Sequence, residues 1–206
     1  MPVGNEAGDA ALTVLDAGTR HSAMKLILLD RDGVVVVNRP TNIKQPADLD
    51  LLDGVAQAIR LMNDAGFTVS ICTNQPEVAR GVISPAQLDR IHHALQHRLR
   101  QEGASIDRVF SCTSSVKCPR RKPAGRMVRE AMEHYGARAS ETPFVGDQLD
   151  DLRAAFHAGC RRVLVRTGLG SRTLAGGIPD YLKPVAVCDD LLAVAHRLVP
   201  GASGRL

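Results

Sequence analysis

A chain of 206 residues with 44% apolar and 23% charged residues has the composition of a soluble globular domain, long enough to bury a core without disulfide staples. Its formal charge of +4 suits a small anion as well as a polyanion, but with no Trp, two Tyr and four Phe it lacks the stacking platforms of single-strand binders. Apolar runs such as Leu26 to Leu29 are too short to span a bilayer, and an odd five cysteines (Cys72, Cys112, Cys118, Cys160, Cys188) describe no disulfide framework.

The first 23 residues are rich in Gly, Ala, Asp and Thr and carry no apolar signal core. They read as a flexible extension (1–23) ahead of one domain (24–206), in a reducing cytoplasm. From Lys25 onward short apolar strands alternate with amphipathic helices. Strands are expected at 25–29, 67–72, 107–112, 142–145 and 162–166. Asp53 is expected to cap a helix carrying Val55, Ile59 and Met62, with Gly66 as its stop. Ser84-Pro85-Ala86-Gln87 combines a capping box with Pro at the first helical position, ahead of a stripe of Leu88, Ile91, Leu95 and Leu99. His93 and His97 flank that stripe and should face solvent. Two further stripes, Met127, Ala131 and Tyr135, then Leu149, Leu152 and Phe156, end at Gly136 and Gly159. Repeated β-α units imply an α/β, Rossmann-like parallel sheet with helices on both faces. The connections leave no room for a large cap domain; the longest insert runs from Asn38 to Asp50.

In such sheets ligands gather at the carboxyl ends of the strands. There the sequence places Asp30-Arg31-Asp32-Gly33-Val34, Thr73-Asn74-Gln75, a Cys- and Arg-containing loop ending in Arg120-Arg121-Lys122-Pro123, and Gly146-Asp147-Gln148-Leu149-Asp150-Asp151. In extended chain Asp30 and Asp32 project to one side. With Asp147 or Asp151 they offer hard oxygen ligands to Mg²⁺. Thr73 and Asn74 add neutral donors, and Lys122 adds a cation. Metal, donors and lysine match a phosphoryl group in its charged transition state, and a carboxylate beside them can attack phosphorus. Alone, a D-x-D is usually a solvated turn, and a Thr-Asn pair says nothing. Their order after successive strands is what carries the reading. The basic run Arg120, Arg121, Lys122 is read as recognising an anion, whereas Arg126, Arg129 and Arg138 read as a solvated helix face. The buried-looking Cys72, Cys160 and Cys188 are expected to be inert.

Asp30-Arg31-Asp32-Gly33-Val34, Thr73-Asn74-Gln75, Lys122 and Gly146-Asp147-x-x-x-Asp151 resemble the motif set of the haloacid dehalogenase superfamily, over a span from about Lys25 to Val199. Asp-Arg-Asp-Gly, the stretch from Thr73 to Gly81, and Arg121-Lys122-Pro123 narrow the resemblance to the heptose 1,7-bisphosphate and histidinol-phosphate phosphatases. The resemblance implies Asp30 as nucleophile and Asp32 as general acid and base. It implies Mg²⁺ held by Asp30, Asp32 (through its carbonyl) and Asp147, with Asp151 and Gln148 in support. Thr73, Asn74, Gln75 and Lys122 would hold the phosphoryl group, Arg121 a distal phosphate, and Asn38, Arg39, Pro40 and Thr41 would form a substrate-contacting loop. The implied activity is removal of the C7 phosphate of a heptose bisphosphate, on the route to nucleotide-activated heptose for cell-surface glycans. Histidinol phosphate is the alternative substrate. A catalytically dead anion- or partner-binding module is the remote alternative, against which the retention of Asp30, Asp32, Lys122 and Asp147 argues. The small phosphorylated substrate is the expected partner, with no nucleic acid and no membrane, and the chain is expected to be a monomer. The zinc loop of C-x-H…C-x-C form common in that group is reduced here to Cys112 and Cys118. Structural zinc needs four protein ligands, so zinc is not expected. Gln148 also stands where the group often carries a lysine.

Overall fold

The computed structural model describes residues 24–39 and 42–199; the expected extension at 1–23 lies outside the described residues. Its strands are β1 (Leu26–Leu29), β2 (Thr68–Asn74), β3 (Arg108–Cys112), β4 (Pro143–Gly146), β5 (Arg161–Val165) and β6 (Val185–Cys188). All pairings are parallel, in the spatial order β3-β2-β1-β4-β5-β6. The first five agree with the sequence reading to within about two residues. β6 was not read from the sequence: Val-Ala-Val-Cys is a short edge strand with only its last residue buried.

The helices are α1 (Val55–Asp64), α2 (Pro85–Gln101), α3 (Arg126–Tyr135), α4 (Leu149–Ala158), α5 (Gly170–Ala175) and α6 (Leu191–Leu198). Successive residues of β1 point to opposite faces, and all four are buried. Ile27 and Leu29 pack with Ile59 and Met62 of α1, Ile91 and Leu95 of α2, and Val194 of α6. Leu26 and Leu28 pack on the other face with Met127 and Ala131 of α3 and Ala155 of α4. Each such fully buried aliphatic side chain contributes about 1.5–3 kcal/mol over leaving it in water. Among the described residues no helix is long and apolar enough to cross a membrane.

The Ser84 capping box forms in both directions, Gln87 N–H to Ser84 Oγ at 3.1 Å and Ser84 N–H to Gln87 Oε1 at 2.9 Å. His93 and His97 are exposed as expected, but the adjacent His92 is buried. One capping expectation and one position of a helix stripe fail. Asp53 does not cap α1: Gly54 occupies the cap at φ 72°, and the Val55 N–H is satisfied by the Leu52 carbonyl instead. The α4 stripe holds at Leu152, which is buried, and at Leu149, which packs against the same cluster, but not at Phe156. Phe156 is exposed and stacks edge-on against Tyr181, while Ala154, Ala155 and Ala158 face the core. Alanines bring α4 close to its neighbours where a Phe would not fit.

The β1–α1 insert folds over the sheet end as one short 3₁₀ turn (Pro46–Asp48), held by Arg98 donating to the carbonyls of Leu49 at 2.6 Å and Pro46 at 3.1 Å. No large cap covers the described sheet. The order of strands reverses between β1 and β4, and the crevice there is where Asp30 and Asp147 emerge.

Candidate active site

Asp30 follows β1 directly, its backbone N–H held by the Val145 carbonyl of β4 at 2.8 Å. Its Oδ1 accepts from the Arg31 N–H at 2.8 Å and lies 2.8 Å from Lys122 Nζ. Burial pushes the Asp30 carboxyl up to about 7, with Asp151 and Asp32 adding to the rise and Lys122 opposing it. Lys122 itself is buried, and its Nζ donates to Asp151 Oδ1 at 2.6 Å. Burial alone would lower its pKa, but Asp151 and Asp30 together hold it above the ordinary lysine value, so it is charged. Asn74 fixes Lys122 from the other side: its Oδ1 accepts the Lys122 N–H and its Nδ2 donates to the Lys122 carbonyl, both at 3.0 Å.

Asp147 follows β4 directly, and Asp151 lies in the first turn of α4. Asp151 Oδ2 accepts the N–H groups of Asp147 at 3.2 Å and Gln148 at 3.0 Å, so this carboxylate caps its own helix while gripping Lys122 with its other oxygen. Asp147 Oδ2 accepts the Leu169 N–H at 2.8 Å, whereas its Oδ1 is buried without a partner. An orphaned, buried carboxylate oxygen is costly unless a ligand meets it. Burial pushes Asp147 up to about 6, and the Asp151 charge adds to that. Ligand oxygens of Asp30, Asp147 and Asp151 all lie within 4.8 Å of one another. Gly33 (φ +86°) and Gly168 (φ +57°) border them, and a Cβ at either would run into the Asp147 carboxylate. A hard divalent cation fits this donor set, since it would satisfy the orphaned oxygen and offset the crowded negative charge.

Asp32 stands apart from that cluster. The chain turns after Arg31, whose carbonyl accepts the N–H groups of Val35 and Val36, both at 2.9 Å, so the extended geometry assumed for Asp30 and Asp32 is not kept. The expected Asp32 metal carboxylate is therefore corrected: its side chain bonds Arg31 Nη2 at 3.0 Å and Gln75 Nε2 at 3.0 Å. Gln75 also accepts from Arg31 Nη2 at 2.9 Å and donates to Thr73 Oγ1 at 2.9 Å. Behind them His92 Nε2 lies 3.4 Å from Arg31 Nη1. Arg31 is 2% exposed, so this network is built into the protein.

Most of these side chains open on one cavity of about 230 Å³, lined among others by Asp30, Asp32, Thr73, Asn74, Gln75, Arg121, Lys122, Gln148 and Asp151, with Asn38 and Arg39 at its edge. Pro40 and Thr41 lie outside the described residues. Arg121 faces the cavity with its Nη1 donating to the Ser114 carbonyl at 2.8 Å. Arg120 does not share that role, because it pairs with Glu130 at 2.9 Å away from the cavity. Sequence reasoning missed the buried Glu77, which accepts from Asn42 Nδ2 at 3.0 Å on the cavity wall, along with Asp150, Arg31 and His92. Arg31 stood inside the first motif and could have been asked for a role. His92, one residue off the apolar stripe, gave no signal.

Residues 119–194 match the HAD-hydrolase-like family model. The chain is 42% identical over 182 residues to the D-glycero-beta-D-manno-heptose-1,7-bisphosphate 7-phosphatase of Bordetella bronchiseptica, covering 87% of this chain and 100% of that one. The enzyme of the same description from Pseudomonas putida is 36% identical, covering 85% and 100%. The fold resembles the crystal structure of D,D-heptose 1,7-bisphosphate phosphatase from B. bronchiseptica complexed with magnesium and phosphate, with TM-score 0.80 and 41% identity over 85% of this chain and 98% of that one. The corresponding Burkholderia thailandensis structure gives TM-score 0.68 and 33% identity, covering 85% and 99%.

Proposed function

The chain belongs to the HAD-like hydrolases, on the branch of the D-glycero-D-manno-heptose-1,7-bisphosphate 7-phosphatases, and we propose that it removes the C7 phosphate of that bisphosphate. It is a phosphoric monoester hydrolase. The observation that carries the residue-level reading is Lys122, whose ammonium bridges Asp30 and Asp151 beside the orphaned Asp147 oxygen.

Asp30 Oδ1 is occupied by Lys122 and the Arg31 N–H, which leaves the other oxygen to attack phosphorus and form an aspartyl-phosphate. Asp32 is the general acid that delivers a proton to the leaving C7 oxygen. Returned to the carboxylate, it then takes a proton from the water that attacks the aspartyl-phosphate. Lys122 and Thr73 face the phosphoryl oxygens, and Asn74 keeps Lys122 in register through its backbone. Asp30, Asp147 and the Asp32 carbonyl would hold Mg²⁺, which when bound supplies positive charge against the phosphoryl oxygens. Arg121, Asn38 and Arg39 then meet the far end of the sugar. The enzyme works as a monomer in the cytoplasm, and residues 24–206 form its catalytic domain.

The test is phosphate release by purified protein with Mg²⁺ from the heptose bisphosphate, histidinol phosphate and a panel of sugar monophosphates. A kcat/KM at least tenfold higher for the bisphosphate supports the reading. Preference for histidinol phosphate would replace the substrate, and no release from any would refute the enzyme.

A further inference from the structure

Cys112 at the end of β3 and Cys118 on the loop that leads to α3 have their sulfurs 3.7 Å apart. Among the described residues the acidic trio of Asp30, Asp147 and Asp151 is the one cluster of three or more possible metal ligands, so no third such ligand joins the two thiols. They differ in setting. Cys112 ends β3, is 4% exposed, and its carbonyl accepts the Gln75 N–H at 2.7 Å. Cys118 is half-buried on a loop whose nearby Val116 is 69% exposed, so a small reagent can reach it. We propose that Cys112 and Cys118 form a reactive dithiol that a small-molecule disulfide converts to an intrachain disulfide.

The chemistry of the two thiols fits that order of events. Partial burial works against the Cys118 thiolate, but the N–H groups of Arg121 and Arg120, with Cys112 and Ser114, hold its pKa below the ordinary value. Burial raises that of Cys112. Cys118 is therefore the attacking thiolate and Cys112 the resolving thiol. The Cys118 thiolate attacks one sulfur of the small disulfide, forming a mixed disulfide and expelling one thiolate. Cys112 then loses its proton, attacks the Cys118 sulfur and expels the second thiolate. The protein loses two electrons and two protons, and the small disulfide is reduced to two thiols. Cys72, Cys160 and Cys188 are buried with raised pKa values, Cys160 to about 12, and serve as internal controls.

The bridge reaches the cavity through Arg121. A disulfide draws the sulfurs to about 2.0 Å, so part of the loop must move. The Cys118 carbonyl accepts the Arg121 N–H at 3.1 Å, and the Arg121 guanidinium donates to Ser114 within the same loop. Lys122 is anchored separately by Asn74, Asp30 and Asp151. Bridging should therefore raise KM, and lower kcat/KM, for a substrate that Arg121 grips. This second consequence rests on the proposed function.

Reduced protein is incubated with oxidised glutathione, alkylated and analysed by intact mass and peptide mapping. The expected product is about 2 Da lighter before alkylation, has lost two alkylatable thiols, and yields a linked Cys112–Cys118 peptide. C112S should retain glutathione on Cys118, and C118S should stay unmodified. Wild-type protein that keeps all its thiols, keeps glutathione on Cys118, or is protected by stoichiometric zinc overturns the dithiol. For activity, the bridged enzyme should show a KM for the heptose bisphosphate raised several-fold and restored by dithiothreitol, with C118S unaffected. A bridge that forms with KM unchanged overturns the link to Arg121. Reduced enzyme inactive on that substrate would instead refute the proposed function, leaving the mass result standing.

Discussion

The guanidinium of Arg31 folds back onto the carboxylate of its own neighbour Asp32, with Nη2 3.0 Å from Oδ1 and Nε 3.2 Å from Oδ2. Here Gln75 and His92 hold the guanidinium in place from behind. Arg31→Lys keeps the charge but gives up the planar fork that reaches Asp32 and Gln75 together. A misplaced Asp32 should lower kcat by about 10- to 100-fold, within what a general acid contributes. Steady-state kinetics beside Mg²⁺ titration check it: kcat within twofold of wild type would show that Asp32 needs no such support.

Asp30→Asn should reduce kcat by more than about 10³-fold, the scale on which removal of a nucleophile is felt. The fold should survive, because Lys122 keeps its bond to Asp151 and a neutral amide relieves a carboxyl that burial already pushes up to about 7. Trapping after brief exposure to labelled substrate should give acyl phosphate on wild type and none on the variant. Activity within tenfold of wild type would remove Asp30 from its role.

Asp147→Asn preserves an acceptor for the Leu169 N–H but replaces the orphaned carboxylate oxygen. Mg²⁺ affinity should fall by about 10²-fold, the loss expected when a charged ligand in a small acidic cluster becomes neutral. Since binding to the folded state stabilises by mass action, Mg²⁺ should raise the Tm of wild type and leave the variant near its metal-free value. An equal rise in both proteins would move the cation elsewhere.

His92 predicts a pH dependence of stability. Burial, with Arg31 adding to it and Asp32 opposing it, lowers its pKa to about 4, while exposed His93 also disfavours the proton. The unfolded chain therefore takes up a proton below about pH 6.5 that the folded chain refuses down to about 4. This contribution to stability is complete above pH 6.5 and is lost as pH falls through that window. By pH 5 the loss amounts to about 1–2 kcal/mol. Urea unfolding at pH 7.5 and 5.0 should show that much less acid sensitivity in His92→Gln. Equal losses in the two proteins would mean His92 is solvated.

What the sequence revealed and what it hid follow the range of the interactions involved. β1 to β5 and the Ser84 cap are local patterns, and they were legible residue by residue. Asp30, Asp147 and Lys122 were legible because strand ends in a parallel sheet must converge. Asp32 was misread as a metal carboxylate because its direction depends on a turn and on Gln75, 43 residues away. His92 and Glu77 meet the site only through tertiary contacts, and no period marks them. In the α4 stripe only Phe156 was misplaced, because hydrophobicity favoured it while close packing favoured alanine.

Arg121 should separate a bisphosphate from a monophosphate. It faces the cavity beside Lys122, so if Lys122 holds the reacting phosphate the two adjacent cations would span a small sugar. The Ser114 carbonyl holds the guanidinium through Nη1, which preorganises it and lowers the entropy lost on binding. A planar fork can grip a second phosphate with two parallel hydrogen bonds. Remote binding energy also orients the reacting phosphate, so its loss lowers kcat as well as raising KM. Arg121→Ala should thus cost about 2–4 kcal/mol in kcat/KM for the heptose bisphosphate, the range for truncating one partner of a buried charge pair. Histidinol phosphate has no second phosphate to lose and should be hydrolysed about as well by the variant as by wild type. Equal losses on both substrates would assign Arg121 to the reacting phosphate or to the loop itself, and the distal-phosphate role would pass to Arg39 at the cavity edge.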